Sequence, residues 1–213
     1  MIFDFDGVLA DTEALHFETF AAVLAAEGIE VTRVENDSRF LGVSDAGCFS
    51  IAFRDAGREL GPALRDDLVA RKADHYARLA KSVKLFPGAR DLVEEAAARG
   101  PVTIASCGRR RDIEDVLERH DLRRLFSRFV SADDIERSKP DPECFLKALE
   151  VLRAGGCPDL LPGDCLVFED SFRGVEAARR AGMQCAAVTH SYPVEKLAGA
   201  DWILRSLEDW RWL

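Results

Sequence analysis

The feature that most restricts the fold of this chain is a change of hydrophobic rhythm near residue 83. From Ala14 to about Ser82, apolar residues recur at helical spacing, as in ALHFETFAAVLAAEGI and ALRDDLVARKADHYARLAKSV, which places them on one face of a helix. Gly28, Gly42 and Gly61-Pro62 punctuate that stretch into about four helices. From Val83 onward, short apolar runs alternate with amphipathic segments, the pattern of a parallel sheet with crossover helices. PVTIAS, RFVSA, CLVFE, QCAAV and DWILR read as strands, with helices expected near 88–99, 109–119, 142–153 and 171–181. The opening MIF belongs with these runs rather than with the helices that follow it. The expected organisation is therefore a discontinuous α/β core, residues 1–13 plus 83–213, carrying a helical insert of about 14–82.

Composition excludes several classes of function. Lys and Arg number 29 against 38 Asp and Glu, a formal charge of −9, which opposes a nucleic-acid footprint or an anionic membrane surface. A small anionic substrate remains compatible, because a local cationic pocket can sit in a negative protein. The six cysteines include no CxxC pair, so neither a zinc site nor a disulfide framework is expected, and reduced thiols in apolar runs are the natural reading. No signal peptide and no apolar run of about eighteen residues is evident, which makes the cytoplasm the expected location.

Asp4 and Asp6 stand one residue apart at the end of the first apolar run, so a strand projects them from the same face. Two like charges that close require a cation, a shared proton or hydrogen-bond donors. Other chemically loaded clusters also follow candidate strands: Ser106 after VTIA, Lys139 in the loop after RFVSA, and Glu169-Asp170 after LVF. Ligand sites of open parallel sheets gather at the carboxyl ends of the strands. Four separated segments are thus expected to meet in one crevice.

In this order DFDGVLADT, the strand-ending Ser106, SKPDP and FEDSFRGVEAARRAG resemble the motifs of the haloacid dehalogenase (HAD) superfamily. The resemblance is to its phosphatase and phosphomutase branch, with an α-helical cap inserted after the first motif, and it covers essentially the whole chain. It implies a Rossmann-like parallel-sheet core with a helical-bundle cap. Phosphoryl transfer needs a nucleophile, charge neutralisation and a proton donor for the leaving oxygen. An ionised Asp4 suits attack on phosphorus and formation of an aspartyl-phosphate. Asp6 suits the general acid and base, its pKa expected to be raised by the adjacent carboxylate and by closure of the cap. The family also binds metal through the backbone carbonyl at this position.

Asp170 is the best metal ligand beyond Asp4, with Glu169 nearby or acting through water; hard oxygen ligands suit Mg2+. Lys139, held extended by Pro140, can pair with Asp4 and a phosphoryl oxygen together. Ser106 with the amides of Cys107 and Gly108 is expected to hydrogen-bond the phosphate at a helix N-terminus. Arg109 to Arg111 either lend field to that site, Arg109 being nearest, or pair with Asp112, Glu114 and Asp115.

Within the helical insert, His16 and Lys72 match positions that, in the phosphoglucomutase-like members, position the acid/base aspartate and face the substrate. Thr12 matches the hinge between core and cap, or is simply the N-cap of the next helix. One departure stands out. In β-phosphoglucomutase, GVS is followed by an arginine that grips the second phosphate of a bisphosphate, whereas here GVS is followed by Asp45. An anion there repels phosphate and forfeits a strong charge-assisted contact, which favours hydrolysis over isomerisation.

The expected protein is a monomeric Mg2+-dependent phosphomonoesterase of a small phosphorylated metabolite, a sugar or polyol phosphate, with no nucleic-acid or membrane partner. A sugar-phosphate isomerase is the alternative, and a non-enzymatic phosphate- or metal-binding regulator stands behind it. Only Met1, Ile2 and Phe3 precede Asp4, roughly 10 Å of strand, where family members have more. Either this strand is unusually short or the natural N-terminus extends further.

Overall fold

The computed structural model describes residues 1–212. Five parallel strands form one sheet: β1 (Ile2–Phe3), β2 (Thr103–Ile104), β3 (Leu166–Glu169), β4 (Gln184–Val188) and β5 (Trp202–Leu204), in the order β2-β1-β3-β4-β5. β1 lies inside the sheet, with Ile2 in register with both Thr103 and Val167. A strand covered on both faces must be apolar at every position. Side chains accordingly alternate between two cores: Phe3, Ile104 and Phe168 pack on one face, and Ile2, Val167 and Cys185 on the other. Phe3 and Phe168, neighbours across β1 and β3, stack with centroids 5.1 Å apart.

Four helices intervene between β1 and the rest of the sheet: α1 (Glu13–Ala26), α2 (Arg33–Arg39), α3 (Asp45–Asp55) and α4 (Pro62–Leu79). Their starts follow local chemistry. Thr32 and Glu35 form a capping box on α2, Ser44 caps α3 through Gly47 N, and Pro62 opens α4. These helices close their own apolar cluster around Phe20, Leu24, Phe49, Phe53 and Leu68. The segments leading in and out run side by side: Phe86 N donates to Leu9 O at 3.0 Å, and Asp11 N to Lys84 O at 2.9 Å.

The remaining helices cover the sheet: α5 (Ala89–Arg99), α6 (Arg110–Arg119), α7 (Glu143–Ala154) and α8 (Phe172–Arg180). RFVSA departs from its expected strand. Only Val130 joins the sheet, through a single bridge to Ala105. Asp134 takes both the N–H and the hydroxyl of Ser131, at 2.8 and 2.7 Å, and turns the chain away from the edge. Among the described residues no helix is long and apolar enough to cross a membrane.

Candidate active site

The carboxyl ends of β1, β2 and β3 converge on Lys139. Its Nζ donates to Asp4 Oδ1 at 2.7 Å, to Glu169 Oε1 at 2.6 Å and to the Ala105 carbonyl at 3.2 Å, and lies 4.8 Å from the Phe145 ring centroid. Burial alone would lower the pKa of this ammonium, but the two carboxylates outweigh it and raise it well above the ordinary value. Glu169, fully buried at the end of β3, spends its other oxygen on the N–H groups of Asp170 and Ser171, each at 2.9 Å, and on the Ser171 hydroxyl at 3.0 Å. It sits behind the site and sets the course of the loop that presents Asp170.

Asp4, Glu169 and Asp170 each offer a carboxylate oxygen, and these atoms lie within 4.8 Å of one another. Burial pushes the Asp4 carboxyl well above its usual range, with repulsion from Glu169 and Asp6, in spite of Lys139. Burial likewise raises Asp170, which also faces Glu169, Glu13 and Asp4. The ionised Asp4 expected from sequence is therefore not secured by this chain's groups alone: Asp4 and Glu169 share one ammonium, and Asp170 adds a third carboxylate beside them. A buried, all-oxygen set short of positive charge is a fit for a hard divalent cation.

Two glycines make room for these acids. Gly7 turns the chain with φ of +78°, and a Cβ there would lie 2.0 Å from Asp170 Oδ2. At Gly174, in the first turn of α8, a Cβ would lie 1.8 Å from Glu169 Oε1. Gly174→Ala is expected to destabilise the fold by about 1–3 kcal/mol, measured as a lowered thermal midpoint.

Asp6 belongs to a different network. Its Oδ1 accepts from the Thr12 hydroxyl at 2.6 Å and meets His16 Nε2 at 3.1 Å, and its Oδ2 accepts from Ser106 Oγ at 3.2 Å. Ser106 Oγ in turn accepts from Gly108 N at 2.8 Å. Thr12 thus gives its hydroxyl to Asp6 and makes no side-chain cap on α1. His16 stacks on Tyr76 and meets Lys72 Nζ through Nδ1 at 3.0 Å, and Lys72 donates to Asp45 Oδ1 at 2.5 Å. The pKa of Asp6 corrects the expectation from sequence. Burial would raise it, but His16, through charge and hydrogen bond, with Thr12 and Lys72, holds it down to about 2. The neighbours that decide the balance are donors and cations of the helical segment, which a reading of adjacent carboxylates leaves out.

One cavity collects most of the residues singled out by sequence: Asp4, Asp6, His16, Asp45, Lys72, Ser106, Cys107, Gly108, Lys139 and Asp170 all line it. Glu169 lies beneath it. The structure does not bring Arg109 there. Its backbone caps α6, and its guanidinium acts on Asp112, whose carboxyl burial nevertheless raises to about 6. Arg110 turns outward to Asp134 at 2.6 Å and over Phe129.

Several site residues escaped the sequence reading. Ser191 Oγ donates to Asp170 Oδ2, and His190 Nδ1 meets the Gly7 carbonyl at 2.8 Å. Both follow β4, and their place after a strand was the available signal. Glu13 and Asn36 also line the cavity; burial pushes the Glu13 carboxyl up to about 7. Nothing in their spacing marks them.

Asp4, Lys139 and Asp170 thus stand together in one crevice at the strand ends of a parallel α/β sheet, with an ammonium and a carboxylate cluster side by side. The family model for "haloacid dehalogenase-like hydrolase" matches residues 1–188, and the chain belongs to that family. It is 31% identical over 216 residues to Protein CbbY of Rhodobacter capsulatus, spanning 97% of this chain and 92% of that protein. It is 32% identical over 193 residues to the phosphorylated carbohydrates phosphatase of Thermotoga maritima, spanning 90% of this chain and 85% of that one. Among solved structures, β-phosphoglucomutase from Clostridium difficile superposes with a TM-score of 0.88, covering 99% of this chain and 92% of that chain at 21% identity. The chain therefore groups with the phosphatases and β-phosphoglucomutase-like folds of the family.

Proposed function

We propose that the chain is a Mg2+-dependent phosphomonoesterase of a small phosphorylated metabolite, a sugar or polyol phosphate, working through an aspartyl-phosphate, with residues 14–82 as its cap. The observation that carries this reading is Asp4 itself: one oxygen bound by Lys139 at 2.7 Å, in the same cavity as Asp6, Ser106 and Asp170. The relative from Thermotoga maritima, a phosphatase of phosphorylated carbohydrates by name, supports the substrate class.

Asp4 attacks phosphorus, its carboxylate oxygen forming the new P–O bond as the bond to the leaving oxygen breaks. Lys139 holds the nucleophile and offsets phosphoryl charge, while Ser106 and the amides of Cys107 and Gly108 bind the phosphoryl oxygens. Asp6, ionised in the resting site with His16 hydrogen-bonded behind it, takes up a proton as the negative phosphate arrives beside it and gives that proton to the leaving alkoxide; it then takes one from the water that attacks the acyl-phosphate and frees inorganic phosphate. Asp4, Asp170 and the Asp6 carbonyl, with Glu169 behind them, would hold Mg2+, which would supply charge neutralisation to the phosphoryl group. The cap excludes competing water while the intermediate stands.

The test is phosphate release from a panel of sugar, polyol and nucleotide monophosphates. Release is expected with Mg2+, falling to background in chelator and returning when Mg2+ is restored. Release unaffected by chelation, or none across the panel, counts against the reading.

A further inference from the structure

The part of the cavity away from Lys139 has a charge balance of its own. Among the described residues two ammonium groups line the cavity, those of Lys72 and Lys139, and no arginine does. Both ammonium groups are already committed. Lys139 is held by Asp4 and Glu169, and Lys72 by Asp45 at 2.5 Å and by His16 Nδ1 at 3.0 Å. Lys72 is 3% exposed and Asp45 reaches it from the first turn of α3, so the pair closes one end of the cavity.

What stands free there is acceptors. The Glu13 carboxyl makes no side-chain hydrogen bond to any described residue and is free to accept from a hydroxyl or donate to one, and Asn36 gives a side-chain N–H to Asp37 at 3.2 Å and keeps its side-chain oxygen free. Phe20, Phe40 and Val43 complete the wall. Acceptors beside an apolar wall are complementary to hydroxyls, which donate, and to the C–H face of a carbohydrate. A second phosphate or a carboxylate finds no uncommitted cation among the residues lining the cavity and meets the Asp45 carboxylate and the Glu13 carboxyl instead.

We propose that Asp45 and Glu13 are specificity-determining residues that select a neutral, hydroxyl-rich leaving group: a sugar or polyol bearing a single phosphate, and neither a bisphosphate nor a phosphorylated carboxylic acid. The inference rests on the phosphatase reading above. Asp45 acts by neutralising Lys72, and Glu13 acts directly, by exchanging hydrogen bonds with hydroxyls.

The experiment compares kcat/KM for phosphate release from glucose 6-phosphate and sorbitol 6-phosphate with that from fructose 1,6-bisphosphate and 2-phosphoglycolate. Wild-type protein is expected to favour the neutral monophosphates by roughly tenfold or more. Asp45→Asn keeps the side-chain size, removes the charge and releases Lys72, and is expected to shrink that preference by roughly tenfold. Asp45→Glu rebuilds the pair and keeps the preference within about threefold. Glu13→Gln is expected to raise KM for the polyol substrate more than it lowers kcat. Equal turnover of the two groups by wild-type protein overturns the inference, and this arm needs no variant to fold. An unchanged preference in folded Asp45→Asn overturns it as well. Release from none of the four compounds fails the phosphatase reading instead.

Discussion

Asp4→Asn is expected to abolish turnover, lowering kcat by roughly 10^3-fold or more. An amide nitrogen has no lone pair available for attack on phosphorus, and no other carboxylate stands where Asp4 does, bound by Lys139 at the end of β1. The substitution is nearly isosteric, and the amide oxygen still accepts from Lys139 Nζ, 2.7 Å from Asp4 Oδ1 in the native chain. It also removes one of three clustered buried carboxylates that have the single ammonium of Lys139 beside them. The thermal midpoint is therefore expected to hold or rise while activity is lost. Mass spectrometry of acid-quenched wild-type protein mixed with substrate is expected to show one added phosphoryl group, absent from the variant. Wild-type turnover in Asp4→Asn would remove the aspartyl-phosphate mechanism altogether.

Glu169→Ala has the largest expected effect on stability, about 3–5 kcal/mol lost. It strips one carboxylate from a buried Lys139, leaves two backbone N–H groups and the Ser171 hydroxyl without their acceptor, and opens a void where the side chain is fully buried. For a chain of this size that corresponds to a fall in midpoint of roughly 6–20 °C. Activity falls with it, because the loop presenting Asp170 loses its anchor. Glu169→Gln keeps acceptor oxygen and volume and should lose less. An alanine variant that melts with the wild type would show that Glu169 does not organise this loop.

The residues legible in the sequence were those whose position follows from strand geometry alone. Asp4, Asp6, Ser106 and Asp170 follow strands of one parallel sheet, and parallel strands deliver their ends to one crevice. For Arg109 the sequence left two readings, the phosphate site or Asp112, and the structure sets it against Asp112. It starts a helix, and the rotation that aims its side chain is set by how α6 packs rather than by its distance from Ser106. The ion pair of Lys72 and Asp45 joins residues 27 apart on two helices, so it depends on a crossing geometry that spacing does not encode. That pair changes the meaning of Asp45: the anion also neutralises the lysine beside it. Asp6 shows the same limit. Its pKa follows from His16, Thr12 and Lys72, brought against it by tertiary structure, more than from the adjacent Asp4. RFVSA failed as a strand because a local side-chain turn, Ser131 to Asp134, competes with the sheet ladder.

The paired segments at Leu9–Asp11 and Lys84–Phe86 gather the entry and exit of the helical stretch into one narrow ribbon, with Tyr76 and Leu41 packing that stretch further against the sheet. A cassette of foreign helices spliced at that ribbon leaves the stapling of β1, β2 and β3 by Lys139 untouched. It removes His16, Lys72, Asp45 and Glu13 in one stroke. Exchange of that graft therefore changes the cavity wall and the setting of Asp6 together, because Thr12, His16 and Lys72 leave with it, while the contacts of Asp4 and Glu169 with Lys139 stay in the sheet.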